Sequence, residues 1–212
     1  MRTILAIESA IVGGSLAVFS DGELRGSLSG DSGISRAEDL LIKIDELVAE
    51  TVGNKSKIDS IAISIGPGSF TGLRIGLATV MGLSAALSVK CDGVRLFDAM
   101  SNIVQKPEIL LTAVPMGRSD VCFQVFDRKD SDANPLIEPR TVPVDEAREA
   151  IAQFQPQFAV IHSDILSRIS LPDDIEIINA GTNMAEIIGR YAIATESNNS
   201  LEPIYVQSPR FA

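Results

Sequence analysis

The run GPGSFTGLRIG at Gly66–Gly76 comes closest to a chemical motif in this sequence. A glycine-rich turn between a strand and a helix start gathers backbone N–H groups around a phosphate, with Gly66, Gly68 and Ser69 as the candidate contacts. Three known motifs are nearly met and each fails. The NTPase pattern GxxxxGK[ST] needs a lysine after its last glycine, and Leu73 follows Gly72. The dinucleotide pattern GxGxxG finds Gly66 and Gly68 but then Thr71. The nucleophile elbow GxSxG fails because Ser69 directly follows Gly68. Other chemistry is sparse. His162, in VIHSD beside Ser163 and Asp164, is the sole histidine. Neighbours along a strand alternate faces, so these three do not converge as a triad, and a hydrogen-bonded structural role is expected for the ring. One histidine also excludes HExxH. Cys91 and Cys122 lack CxxC spacing and read as inert buried thiols. No catalytic residue and no metal ligand set is expected.

Composition narrows the class further. The 212 residues carry 18 basic and 28 acidic side chains, a net charge of −10, and the isoelectric point is about 4.6. Autonomous RNA or DNA binding normally shows a basic patch, so any nucleic acid is expected to be met only indirectly. At 45% hydrophobic and 22% charged residues the chain can bury a core. MRTILAIES has no apolar core leading to a small-residue cleavage site; a cytoplasmic setting is expected. The uncharged stretch Ile75–Val89 ends at Lys90 and Asp92, shorter than the roughly 18–20 residues of a membrane span, so no membrane role is expected.

The positioning elements are alternating strands and helices. Thr3–Glu8, Ser15–Phe19 and Glu23–Leu28 read as a meander, with Asp21-Gly22 as a tight hairpin turn. Arg36–Val52 reads as an amphipathic helix, with Leu40, Leu41, Ile44, Leu47 and Val48 on one face and Gly53-Asn54 as its end. Ile58–Ile65 is a buried strand leading into the glycine-rich turn and a helix over Thr71–Leu87. Strands follow at Glu108–Val114, Val121–Phe126, Phe158–His162 and Ile175–Ile178, with helices at Val144–Phe154 and Asn183–Thr195. Asp127–Pro143, with three prolines, reads as a surface loop. The pattern is α/β, with two similar units, 1–100 and 101–212.

Along the Thr71–Leu87 helix, Gly72, Gly76, Thr79, Leu83 and Ala86 share a stripe flanked by Ile75 and Gly82; Ala78, Met81 and Ala85 share the opposite one. Small residues at this spacing admit a second helix. Either the second unit or the Arg36–Val52 helix covers this face, making it an ordinary central helix, or the face joins a protein–protein interface built from helices; the partner interface expected in the second case is Leu40, Ile44, Leu47, Gly72, Arg74, Ile75, Gly76, Thr79, Gly82, Leu83 and Ala86. Gly76→Arg is expected to abolish pairing while leaving the monomer folded.

The segment GPGSFTGLRIG resembles the hallmark of the bacterial TsaB (YeaZ) family. ILAIES at Ile4–Ser9, AVPMGRSDVCF at Ala113–Phe123 and LEPIYVQ at Leu201–Gln207 resemble its further motifs, so the likeness spans nearly the whole chain. The resemblance implies the ASKHA fold, the actin-like and ribonuclease H-like architecture of two related α/β subdomains. It implies a catalytically inactive dimerisation subunit serving threonylcarbamoyl transfer to the adenosine beside the anticodon of tRNAs reading ANN codons. Its partners would be TsaD-type and TsaE-type proteins, with ATP and metal held by those subunits and a homodimer in isolation. Departures stand at Glu8, Arg36, Pro115 and Gln207. Glu8 falls where nucleotide-binding members of the superfamily hold phosphate. The alternative is therefore an ATP-binding ASKHA small-molecule kinase using Glu8 and Gly66–Gly72, or more distantly a glycoprotease-like hydrolase.

Overall fold

The computed structural model describes residues 2–29, 37–106, 108–128, 133–195 and 200–206; Arg36 and Gln207 lie outside the described residues. The chain forms two compact units, Met1–Leu96 with Asn183–Ile204, and Phe97–Thr182 with Tyr205–Ala212.

In the first unit β1 (Thr3–Glu8), β2 (Ser15–Ser20) and β3 (Glu23–Ser29) form the expected meander. Asp21 and Gly22 both take positive φ, 54° and 81°, the conformation that matches strand twist in a two-residue hairpin. The helix α1 (Ala37–Thr51) ends at Gly53, whose φ of 85° lets its N–H reach the Val48 carbonyl at 2.9 Å. Next come β4 (Ser60–Ser64), α2 (Phe70–Leu87) and β5 (Lys90–Val94), giving the strand order β3-β2-β1-β4-β5, with β1, β4 and β5 parallel. The strand β5 was not foreseen: KCDGV carries no apolar alternation.

The second unit opens with α3 (Leu96–Ser101), which begins at the boundary. The hairpin β6 (Ile109–Met116) and β7 (Asp120–Asp127) follows, then β8 (Asn134–Pro135), β9 (Arg140–Pro143) and α4 (Ala147–Ala152). Last are β10 (Phe158–Ile161), α5 (Ser163–Leu166) and β11 (Glu176–Asn179). The sheet runs β11-β10-β6-β7-β8, with β10 parallel to both its neighbours and β9 pairing β7. The expected surface loop over 127–143 thus contributes two short strands. Pro135 and Pro143 end these strands, where no ladder N–H is needed, and Pro139 lies between them. Leu111, Phe123, Ile151, Ile161 and Ile165 are among the buried residues of its core.

The chain then returns. Helix α6 (Met184–Thr195) belongs to the first unit, so the expected division into 1–100 and 101–212 is replaced by one in which Asn183–Ile204 packs with the N-terminal strands. The reason is burial on both faces of the first sheet. Leu5, Ile7, Leu16, Val18, Ile61 and Ile63 join Leu40, Ile44, Leu47, Leu77 and Val80 of α1 and α2 in one core. On the opposite pleat, Ala6 and Phe19 face α6. A Cβ on Gly189 would overlap the Phe19 ring and lie 3.1 Å from the Ala6 methyl. Ser15 Oγ accepts from the Ala185 N–H at 2.9 Å, and Ser27 Oγ donates to Glu186 at 2.6 Å.

Candidate functional site

The glycine-rich turn closes on the turn that follows β1. The Ser69 N–H donates to the Ala10 carbonyl at 2.8 Å, and the Ser9 hydroxyl donates to the Gly72 carbonyl at 2.9 Å. A Cβ on Gly68 would lie 2.5 Å from the Ala10 Cβ. One on Gly72 would overlap the Ser9 carbonyl, and one on Gly76 would overlap the Ser9 hydroxyl. Gly66, at φ 104°, would bring a Cβ to 2.8 Å from the Ile204 carbonyl. These glycines are therefore accounted for by close approach of the chain's own backbone.

Several of the N–H groups that a phosphate cradle would use are occupied. Gly66 N–H donates to Ser64 Oγ at 3.2 Å, Gly72 N–H to Ser69 Oγ at 3.3 Å, and Leu73 N–H to the Ser69 carbonyl at 2.9 Å. Ser69 is the helix N-cap, as its residue type leads one to expect. Glu8 is engaged as well. Its Oε1 accepts from the Ala10 and Ile11 N–H groups at 2.5 and 2.9 Å, and the residue is almost wholly buried. Burial pushes its carboxyl up to about 7, opposed by those two N–H groups. Glu8, Gly66, Gly68 and Ser69 are thus brought together, but as a self-filled turn.

The expected interface divides. Leu40, Ile44, Leu47 and Leu83 are buried in the first unit's core, and Gly72 and Gly76 are buried on α2. So placed they offer almost no surface to a partner, and they are withdrawn as contact residues. Small-residue spacing marks a close approach but does not say by what; here the approaching group is Ser9–Ala10. Ile75 and Thr79 are half-buried flanks, while Arg74, Gly82 and Ala86 are exposed.

The opposite stripe faces outward. Ala78, Met81 and Ala85 are exposed, with Met81 at 59%, and Phe70 is 51% exposed at the helix start. On α1, which packs beside α2, Leu41 and Ile42 are 47% and 55% exposed. Leu41 was expected on the buried face with Leu40, but about 100° separates consecutive helical residues. By length and composition α2 also passes for a membrane span, being 18 residues long with mean hydropathy 1.4. It starts earlier than the uncharged run because Ser69 caps it ahead of Arg74. The inward stripe Gly72, Leu73, Gly76, Leu77, Val80 and Leu83 is that of a core helix.

In the second unit His162 is buried at the end of β10. Its Nδ1 accepts from the Asp164 N–H at 3.2 Å and caps α5. Burial lowers the ring's pKa below the usual value, partly offset by Asp164 and the Thr182 backbone. This is a structural position, set by the strand-to-helix turn. Cys122 is buried and Cys91 half-buried, and burial pushes both thiols up to about 12. Among the described residues no group of three His, Cys, Asp or Glu side chains is placed to hold a metal ion.

The family described as TsaD, tRNA N6-adenosine threonylcarbamoyltransferase, matches residues 35–161. The chain is similar to the tRNA threonylcarbamoyladenosine biosynthesis protein TsaB of Haemophilus influenzae, 23% identical over 97% of this chain and 94% of that protein. It is similar in structure to YeaZ from Pseudomonas aeruginosa, with a TM-score of 0.68 and 20% identity over 97% of this chain and 100% of that one. A second Pseudomonas aeruginosa structure, of a protein with similarity to peptidase YeaZ, gives a TM-score of 0.67 over 98% of this chain. Two α/β units on mixed sheets, the ASKHA architecture, are therefore the fold. The chain belongs to the tRNA N6-adenosine threonylcarbamoyltransferase (TsaD) family, in which its likeness is to the TsaB (YeaZ) proteins.

Proposed function

We propose that this chain is a non-catalytic subunit serving tRNA threonylcarbamoyladenosine formation, docking a TsaD-type protein through the exposed faces of α1 and α2. The observation that carries the reading is the outward stripe of α2, where Phe70, Ala78, Met81 and Ala85 stand in solvent; Leu41 and Ile42 of α1 are exposed as well. Apolar residues grouped on an exposed helix face are characteristic of an interface. The likeness to a TsaB protein over 97% of the chain supports the biosynthetic role. The contact set becomes Leu41, Ile42, Phe70, Arg74, Ala78, Met81, Gly82, Ala85 and Ala86.

In this reading the threonylcarbamoyl transfer, with its ATP and metal, belongs to the partners. A TsaE-type ATPase joins the pair, tRNA is met only through them, and the setting is cytoplasmic. In isolation the same face closes a homodimer. Occupation of the glycine loop by Ala10, and of the Gly66 and Gly72 N–H groups by Ser64 and Ser69, runs against the kinase alternative. Gel filtration with the purified cognate TsaD-type protein is the test. Co-elution is expected, and separate elution would refute the docking.

A further inference from the structure

We propose that the surface covering α2 carries a carboxylate, and that this carboxylate closes on the Arg74 guanidinium. The proposal rests on the reading of α2 as the docking face for a TsaD-type protein, and it specifies the chemistry that partner must present.

Arg74 is the sole charged residue of α2. It lies on the exposed stripe, one turn after Phe70 and one turn before Ala78. Its guanidinium stacks over the Phe70 ring at 3.8 Å from the centroid, and that ring is itself half in solvent. Among the described residues the Phe70 ring is all that the guanidinium meets: no carboxylate and no carbonyl pairs with it. Several of the chain's other cations do find acids, for example Lys43 with Glu46 and Lys55 with Asp45, each at 2.7 Å. The side chain also leans back toward the N-terminal end of α2, whose first turn contains no acid. Neither the helix dipole nor a neighbouring acid explains a cation there.

Covering an apolar stripe takes water from everything on it. A guanidinium at its centre then loses its hydration, and the loss stays uncompensated unless an opposite charge replaces the water. Arg74 offers planar N–H donors in a fixed fork, a geometry that a carboxylate meets with two parallel hydrogen bonds. The Phe70 ring holds that fork on one face before any partner arrives, so less side-chain freedom is lost on contact. A carbonyl or hydroxyl would satisfy one donor and leave the charge uncompensated.

Wild type, Arg74→Lys, Arg74→Met and Arg74→Glu are titrated calorimetrically against the purified cognate TsaD-type protein, at low and at high salt. Thermal unfolding of each variant serves as the fold control. Affinity is expected to fall in the order Arg, Lys, Met, Glu, with Arg74→Glu weaker by about 30-fold or more. The salt dependence of the wild type should flatten in Arg74→Met. Wild-type binding with Arg74→Met binding equally tightly would overturn the carboxylate and leave the docking face standing. No binding by the wild type would overturn the docking reading, and this one with it. Loss confined to self-association, measured by sedimentation, would make a second copy the occupant and also overturn the proposal.

Discussion

Ser9 and Gly72 are locked together in both directions. The Ser9 hydroxyl donates to the Gly72 carbonyl at 2.9 Å, and the Ser9 carbonyl fills the space where a Cβ on residue 72 would stand. The contact joins the end of β1 to the start of α2 and settles which side of that helix faces inward.

Gly72→Ala is therefore expected to destabilise the fold by about 3 kcal/mol, at the upper end of overpacking costs, since the obstructing atoms are backbone. Chemical denaturation measures it. Gly76→Arg, expected from the sequence to spare the monomer, is now expected to unfold it, because residue 76 points at the Ser9 side chain and at Ile63. Soluble, cooperative unfolding of Gly76→Arg near the wild-type midpoint would contradict this placement.

Met81→Asp is expected to do the reverse. Residue 81 is 59% exposed, and surface changes usually stay within about 0.5 kcal/mol, so the midpoint should move by no more than about 2 °C. Association with the TsaD-type protein should be lost. Unimpaired co-elution would place the interface elsewhere.

Glu8 gives a pH signature. Its carboxyl rises from 4.5 to about 7 in the folded chain, so the folded state holds its proton more tightly than the unfolded one. Stability is then greatest below the unfolded value and falls as pH rises to about 7, by about 3 kcal/mol over the whole window. Glu8→Gln keeps an oxygen for the Ala10 and Ile11 N–H groups and carries no proton to lose. Denaturation at pH 5 and pH 8, compared between the two proteins, should show the loss at pH 8 in wild type alone.

His162 acts in the opposite sense. Burial lowers its pKa, so the unfolded chain takes up the proton first, and stability present above the unfolded value near 6.5 is lost as pH falls below it. His162→Asn retains an acceptor for the Asp164 N–H and should remove this loss on acidification. The readout is the difference between wild type and variant at pH 7.5 and pH 5. An equal difference at both would show that the ring titrates freely.

Local signals in the sequence located the meander, α1, β4, α2 and α6 to within a residue or two, because each has either clean periodicity or a turn residue with one conformational use. Gly53 at positive φ and the Asp21-Gly22 hairpin are such cases. The short strand Arg140–Pro143 was hidden by the prolines at 139 and 143, and β5 by its lack of pattern. The site was half legible. Two uncharged stripes on α2 were visible, but the packed one was set by Ser9, sixty-three residues earlier, and no helical period encodes a contact of that range. Leu40, Ile44 and Leu47 show the same limit: an apolar face reads identically whether a sheet or another protein covers it.

The return of α6 to the first unit has a consequence for synthesis on the ribosome. The strands of the second unit all lie within Phe97–Thr182, so that sheet can close as soon as its own residues have emerged. The first unit cannot. The pleat bearing Ala6 and Phe19 stays bare until Met184–Thr195 has been made, so the sheet translated first is covered only after the sheet translated second has been made.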